Sequence, residues 1–306
     1  MATETMPAEA SRLVATTWRK DYIALTKPKI MVMILLTVGV AMLAAAQLRE
    51  LRIGWLVWIN TLLATSLIAA SASTLNQWYE RDRDANMERT RNRPLPSGRL
   101  TSWEASAFGW LLVVLGSIYL WLGANLTSML CGLATWGVYC WVYTPMKTWT
   151  WWNTAIGTLP GALPVMIGWT AVGGSITDME GWALTSIVIL WQFPHFMSIA
   201  WLYREQYASA GFRMITKDEP SGLAAGWHAL LPAVMLIPLS VYVLHPVSTE
   251  TWVVAGLGAI SCLGQAAASY RFLGARNDQT ARALLRSSLL YLPAIMLLVV
   301  IRWSFV

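Results

Sequence analysis

Nine apolar runs, each long enough to cross a lipid bilayer, follow one another along this chain. They lie near residues 29–47, 53–75, 103–122, 125–143, 154–172, 181–203, 226–245, 251–272 and 287–305. A spanning helix needs roughly 20 mainly apolar residues. In lipid every backbone N–H and C=O must find a partner inside the protein, so such runs can only be helices or the strands of a closed barrel. Runs of this length are helices. Only 12% of the residues are charged, against about 25% in an ordinary soluble domain. The reading is therefore an all-α, polytopic membrane protein with nine transmembrane helices. Residues 29–306 form its single transmembrane domain.

Residues 1–28 form a separate N-terminal segment. Within 11–27, Leu13, Val14, Trp18, Tyr22 and Leu25 recur at helical spacing, with Arg12, Arg19, Lys20 and Lys27 between them. That pattern predicts a short helix lying in the membrane interface. No cationic stretch followed by a short apolar core and cleavage site opens the chain.

Charge orients the bundle. With the N-terminus inside, every one of the 22 Lys and Arg except Arg49, Arg52 and Arg302 falls on the inner side. Inner connections of membrane proteins are enriched in basic residues. The expectation is N-inside, C-outside, with all chemically rich connections opening on the cytoplasmic face. A transporter would more often carry ionisable groups along a path near mid-membrane. Here they gather at one mouth, which favours an enzyme with a polar cap over an apolar cavity.

The richest connection is residues 76–99, NQWYERDRDANMERTRNRPLPSGR. Asn76, Glu80 and Asp84 recur every four residues. On a helix each such step drifts only about 40° around the axis, so the three side chains share one face. Two carboxylates and an amide on one face can hold a hard cation such as Mg²⁺. Arg89 and Arg93 continue the same four-residue series and are candidate phosphate ligands. The alternative is that these charges are solvated or merely signal topology.

Two further segments stand out. In residues 143–169 a lone lysine, Lys147, lies at the cytoplasmic end of two spans, and the GTLPGALP run offers small residues that let neighbours approach closely. Snorkelling to the interface is the plain explanation of such a lysine. In residues 191–213, Trp191, Gln192 and His195 precede Arg204 and Glu205, an acid beside a base at a helix end. A lone buried histidine is commonly a hydrogen-bonded core residue. The three cysteines, Cys131, Cys140 and Cys262, lie in apolar runs without CxxC spacing, so neither a disulfide framework nor a zinc site is expected.

Taken together and in order, LTKPKI at 25–30, NxxxExxxD followed by MERTxNRPLPSGR, YTPMKxxTxxNTxIGxxPGALPxxIGW and WQFPHFMSIAWxxREQYxxAGFRM resemble the UbiA superfamily of intramembrane prenyltransferases. The variant resembles its haem O synthase branch. The resemblance implies nine helices around a central cavity in a bacterial inner membrane. It implies farnesyl transfer from farnesyl diphosphate to a vinyl group of haem B, giving haem O and pyrophosphate, with Mg²⁺ as cofactor. The implied metal set is Asn76, Glu80 and Asp84, with Lys27, Arg89, Arg93, Lys147 and Arg204 toward the diphosphate. Asn76, Glu80, Asp84 and Lys147 would be the catalytic groups, and His195, Trp191 and Gln192 would meet haem. Haem-handling or terminal-oxidase assembly proteins are implied partners, and nothing points to nucleic acid. Two positions depart from the family pattern. Thr148 stands where an arginine is usual, and Gln206 stands where an acid is usual, which leaves Glu205 as the substitute ligand. A quinone-precursor or chlorophyllide acceptor, or a transporter of lipid or haem, are the competing readings.

Overall fold

The computed structural model describes residues 18–245 and 248–304, and these are helical with no strand among them. A helix over residues 18–26 (α1) precedes α2 (Pro28–Leu48), α3 (Trp55–Asp84), α4 (Ser102–Gly123) and α5 (Leu126–Gly137). A π-helical turn, Val138–Tyr143, joins α5 to α6 (Thr144–Trp149). Then come α7 (Asn153–Ala162), α8 (Pro164–Ala171), α9 (Met179–Leu202), α10 (Arg204–Ser209), α11 (Ile215–Asp218), α12 (Leu223–Val243), α13 (Thr249–Ala275) and α14 (Asp278–Trp303). The helix expected over 11–27 is seen from residue 18 onward, and its earlier part lies outside the described residues.

Seven of these helices (α2, α3, α4, α9, α12, α13 and α14) are long and apolar enough to cross a membrane. The runs expected at 125–143 and 154–172 are helical but irregular: the first continues without a gap through a π-turn, and the second is interrupted at Leu163. In the first, Pro145 has no N–H to donate, and the chain widens into a π-turn just before it. In the second, α7 ends at Ala162 and α8 restarts at Pro164. The last helix also begins at Asp278, well ahead of the apolar run at 287, because Asn277 caps it through Thr280.

Lipid gives helices no hydrophobic reason to associate, so packing and interhelical hydrogen bonds must hold them. Glycines supply the packing. A Cβ on Gly109 would collide with Leu75, and one on Gly116 with Leu67 and Ile68, so α3 and α4 lie close along their length. Ser71 donates to the Gly109 carbonyl at 2.6 Å and accepts from Trp136 Nε1 at 3.0 Å, tying three helices at one buried point. Such bonds average about 0.6 kcal/mol in membrane proteins. Outward faces carry large apolar side chains, among them Trp103, Leu122 and Leu290.

At the end of the bundle away from the 85–100 loop, Arg49 pairs with Asp178 at 2.6 Å, and the same carboxylate accepts from Trp169 Nε1 and the Ser175 amide. Arg302, also at that end, is buried and donates through Nε to the His245 carbonyl. Two of the three basic residues that break the charge asymmetry are thus tied into the protein.

Candidate active site

The lower wall of the site is α3. It stays helical through Asp84, so Asn76, Glu80 and Asp84 do share a face, and all three are buried. Each meets a group from elsewhere in the chain. Lys27 Nζ donates to Asn76 Oδ1 at 3.1 Å. Lys147 Nζ bonds Glu80 Oε1 at 2.7 Å. Arg93 NH1 bonds Asp84 Oδ2 at 2.6 Å. Asn76 Nδ2 also donates to Thr144 Oγ1 at 3.2 Å.

Local backbone features deliver those three cations. Lys27 sits between α1 and α2 with φ at 50°, a left-handed conformation costly for a non-glycine residue. The π-turn presents Tyr143, Thr144 and Lys147 together: Thr144 Oγ1 donates to the Tyr139 carbonyl, and the Lys147 ammonium lies 4.6 Å from the Tyr143 ring centre. Arg93 does not reach Asp84 by extending the helix, as the four-residue series implied. The helix ends at Asp84, and the 85–100 loop folds back over it. Thr90 Oγ1 donates to the Asp84 carbonyl, and Arg99 pairs with Asp21 of α1 at 3.0 Å.

Three cations against two carboxylates leave this cluster with excess positive charge. Burial, with Arg93 and Lys147 close by, pulls the Lys27 ammonium down to about 7. An incoming polyanion would relieve that repulsion. Asp84 Oδ1 is buried without a hydrogen-bond partner.

The second polar segment departs from expectation. The structure does not bring Arg204 or Glu205 into the cluster. Helix α9 closes at Tyr203 and α10 sets off in a new direction. Arg204 turns to Asp278 at 3.2 Å and lies over the Trp201 ring, and the Glu205 side chain is 90% exposed. The residue that turns inward is Gln206, whose Oε1 is buried with no partner. Next to it, Tyr207 packs with Met87 and Phe212, joining this loop to the 85–100 loop. Arg89 lies over the Tyr203 ring at 5.3 Å, with its own side chain exposed. The sequence did hold a signal for Gln206, since its amide stands where the resemblance called for an acid.

Below the cluster lies an apolar cavity of about 460 Å³, lined from Lys27 and Tyr143 down to Ile68, Trp136, Ile167 and Val188. It opens sideways between α2 and α14, where Ile30 and Leu289 line it while more than half exposed. The GTLPGALP run shapes one wall as its small residues suggested: a Cβ at Gly157 would meet the Tyr143 ring, and one at Gly161 the Gln192 amide oxygen. Trp191, Gln192 and His195 all line the cavity. Trp191 donates to the Ser288 carbonyl at 2.6 Å, and Gln192 donates to the Thr158 carbonyl at 2.9 Å. His195 Nδ1 shares a 3.0 Å hydrogen bond with Ser288 Oγ, and its ring stacks on Trp191. The bond to a neighbouring helix is therefore present, and it leaves Nε2 without a protein partner among the described residues.

Could these residues hold a divalent cation? Among the described residues no group of three or more His, Cys, Asp and Glu has metal-binding spacing. The available donors in the cluster are oxygens: Glu80, Asp84 with its free Oδ1, and the amide oxygen of Asn76; in the second loop Gln206 Oε1 is likewise buried without a partner. Mg²⁺ suits such a set, because it is held by one or two carboxylates together with substrate phosphates and water.

Comparison with known proteins gives consistent relatives. Residues 32–292 match the UbiA prenyltransferase family. A protoheme IX farnesyltransferase of Rhodopirellula baltica is 45% identical, covering 92% of this chain and 99% of its own. One from Solibacter usitatus is 42% identical, covering 90% and 96%. Among solved structures, digeranylgeranylglyceryl phosphate synthase superimposes with a TM-score of 0.73 over 94% of this chain and 99% of its own, at 16% identity. A UbiA homologue from Archaeoglobus fulgidus, solved with GPP and Mg²⁺, gives 0.63 over 91% and 99%, at 17% identity.

Proposed function

The chain belongs to the UbiA prenyltransferase family, and from that premise we propose that it transfers the farnesyl group of farnesyl diphosphate to a vinyl group of haem B. The products are haem O and pyrophosphate. The observation that carries this reading is the stacking of two unlike chambers: a buried cluster with surplus positive charge directly above an apolar, aromatic-lined cavity.

Breaking the allylic C–O bond moves negative charge onto the departing diphosphate. Groups that meet that charge as it develops lower the barrier, because they act more strongly on the transition state than on the ground state. Lys27, Lys147 and Arg93 would meet that charge, and Arg89 lies exposed beside the second loop. Asn76, Glu80 and Asp84, with Gln206 from the facing loop, would hold Mg²⁺. When bound, the metal supplies Lewis-acid neutralisation of the diphosphate oxygens. The walls below keep water away from the allylic cation, and the π faces of Tyr139, Tyr143 and Trp136 favour it. Once the new C–C bond has formed, the cation left on the porphyrin side chain takes up water and loses a proton, which the released pyrophosphate can accept. His195 and Trp191 border the space the acceptor would occupy.

The test is direct. Purified protein incubated with farnesyl diphosphate and haem B should yield haem O by mass, dependent on Mg²⁺. Product with a quinone precursor or chlorophyllide and none with haem B would replace the acceptor. Uptake without covalent product would favour a transporter.

The two irregular stretches, 126–149 and 153–171, complete a nine-span, N-inside arrangement in a bacterial inner membrane, with the cluster facing the cytoplasm. Residues 1–28 then form a cytoplasmic segment ahead of one transmembrane domain. The charge asymmetry supports this. A single cysteine at Ser97 or Ser221, in a background lacking the three native cysteines, should resist an impermeant thiol reagent in intact cells. Labelling of either would overturn the orientation.

A further inference from the structure

The cations at this mouth are mostly committed. Lys27 bonds Asn76, Lys147 bonds Glu80, Arg93 bonds Asp84 and Arg204 bonds Asp278. Lys29 is different. It lines the same cavity, yet it makes no ion pair or hydrogen bond among the described residues. Its neighbour Ile30 borders the sideways opening. On the far side of that opening, α14 contributes Leu289 to the lining, and α14 packs against α2. Arg286 precedes Leu289 by three residues, so it lies on the same face of α14, nearer that helix's first turn. It too is exposed and without an ion pair among the described residues.

One unpaired cation, Lys29, therefore sits on the rim of a mostly apolar chamber, on the side where His195 and Ser288 meet, and a second, Arg286, stands one turn of α14 from the lining residue Leu289. We propose that Lys29, with Arg286 across the opening, binds the paired propionates of the porphyrin acceptor. This rests on haem B being the acceptor. A porphyrin is a flat apolar disc with two carboxylates on one edge. The disc belongs in the cavity beside Trp191, and the carboxylates cannot follow it there unpaired, since an uncompensated charge is costly to bury. They must stay at a rim that offers cations. Lys29 and Arg286 fix which edge points outward, and so which part of the disc reaches the allylic chain. The acid cluster keeps its own cations for the diphosphate, so the two anionic groups do not compete for the same partners.

The experiment is a set of titrations on the purified full chain, read by the Soret band, using haem B and its dimethyl ester, which lacks both charges. Wild-type protein should bind haem B at least about tenfold more tightly than the ester, about 1.4 kcal/mol. In Lys29→Met that preference should fall about fivefold or more, with ester affinity and farnesyl diphosphate affinity held within about twofold. Arg286→Met should narrow it in the same sense, and Lys29→Arg should keep it. An unchanged preference in Lys29→Met, or equal binding of both porphyrins by wild type, overturns the assignment and leaves Lys29 facing lipid phosphates only. Saturable binding of farnesyl diphosphate with none of either porphyrin removes the acceptor reading itself, and the proposal with it.

Discussion

At the end of α3, Glu80 and Asp84 are buried and each grips a cation; at the end of α9, Glu205 stands in solvent while Arg204 leans on Asp278. Both ends place acid beside base just past an apolar run. The difference lies in what the backbone does next. Helix α3 continues four-residue register through Asp84, and the 85–100 loop returns over it, anchored by Leu95 and Leu100 against Leu25 of α1. Helix α9 stops at Tyr203, and the six-residue α10 turns Gln206 and Tyr207 inward instead. Helical register settles which acids gather only while the helix lasts.

The sharpest way to break the comparison is at its buried side. Glu80→Ala and Asp84→Ala should each lower kcat/KM by at least about a hundredfold, roughly 2.7 kcal/mol. The protein should remain monodisperse in detergent. Near-normal, Mg²⁺-dependent turnover in both variants would show that the α3 face is structural.

How far the sequence could foresee this follows from the same contrast. The apolar runs announced the helices, because length and hydropathy are local properties. The shared face of Asn76, Glu80 and Asp84 was legible for the same reason. Irregularities were harder to see: the π-turn before Pro145 and the break at Pro164 depend on which neighbours can re-satisfy freed backbone groups. Harder still was Arg93, which reaches Asp84 through a folded loop and not along a helix. The exposure of Glu205 was out of reach of spacing arguments, since it turns on one change of direction at Tyr203.

A smaller effect should come from the cation that neutralises Glu80. Lys147 and Glu80 have side chains 12% and 6% exposed. Removing one partner of a buried pair costs about 3–5 kcal/mol, chiefly by stranding the other charge. Lys147→Met should therefore lower thermal stability as well as turnover, the latter by about thirtyfold. Adding Glu80→Gln should recover much of the lost stability and none of the activity. Equal melting temperatures for the single and double variants would mean that the pair is solvated, and that the two helix ends are more alike than the structure shows.

The two neighbours in the second loop give the finest discrimination. Gln206 presents a buried oxygen with no protein partner, and Glu205 presents a carboxylate to solvent. An exposed charge contributes little, because water and salt screen it. Glu205→Gln should therefore change kcat/KM less than about threefold, under roughly 0.7 kcal/mol. Gln206→Leu removes the inward oxygen while keeping the volume. It should cost about tenfold, near 1.4 kcal/mol, and should raise the Mg²⁺ concentration needed for farnesyl diphosphate binding. Gln206→Glu should lower that concentration, since it adds a charge at the same place. The measurement is diphosphate affinity as a function of Mg²⁺ in the four proteins. A large loss in Glu205→Gln beside a silent Gln206→Leu would mean that α10 rotates when substrate arrives, carrying Glu205 inward and erasing the contrast between the two helix ends.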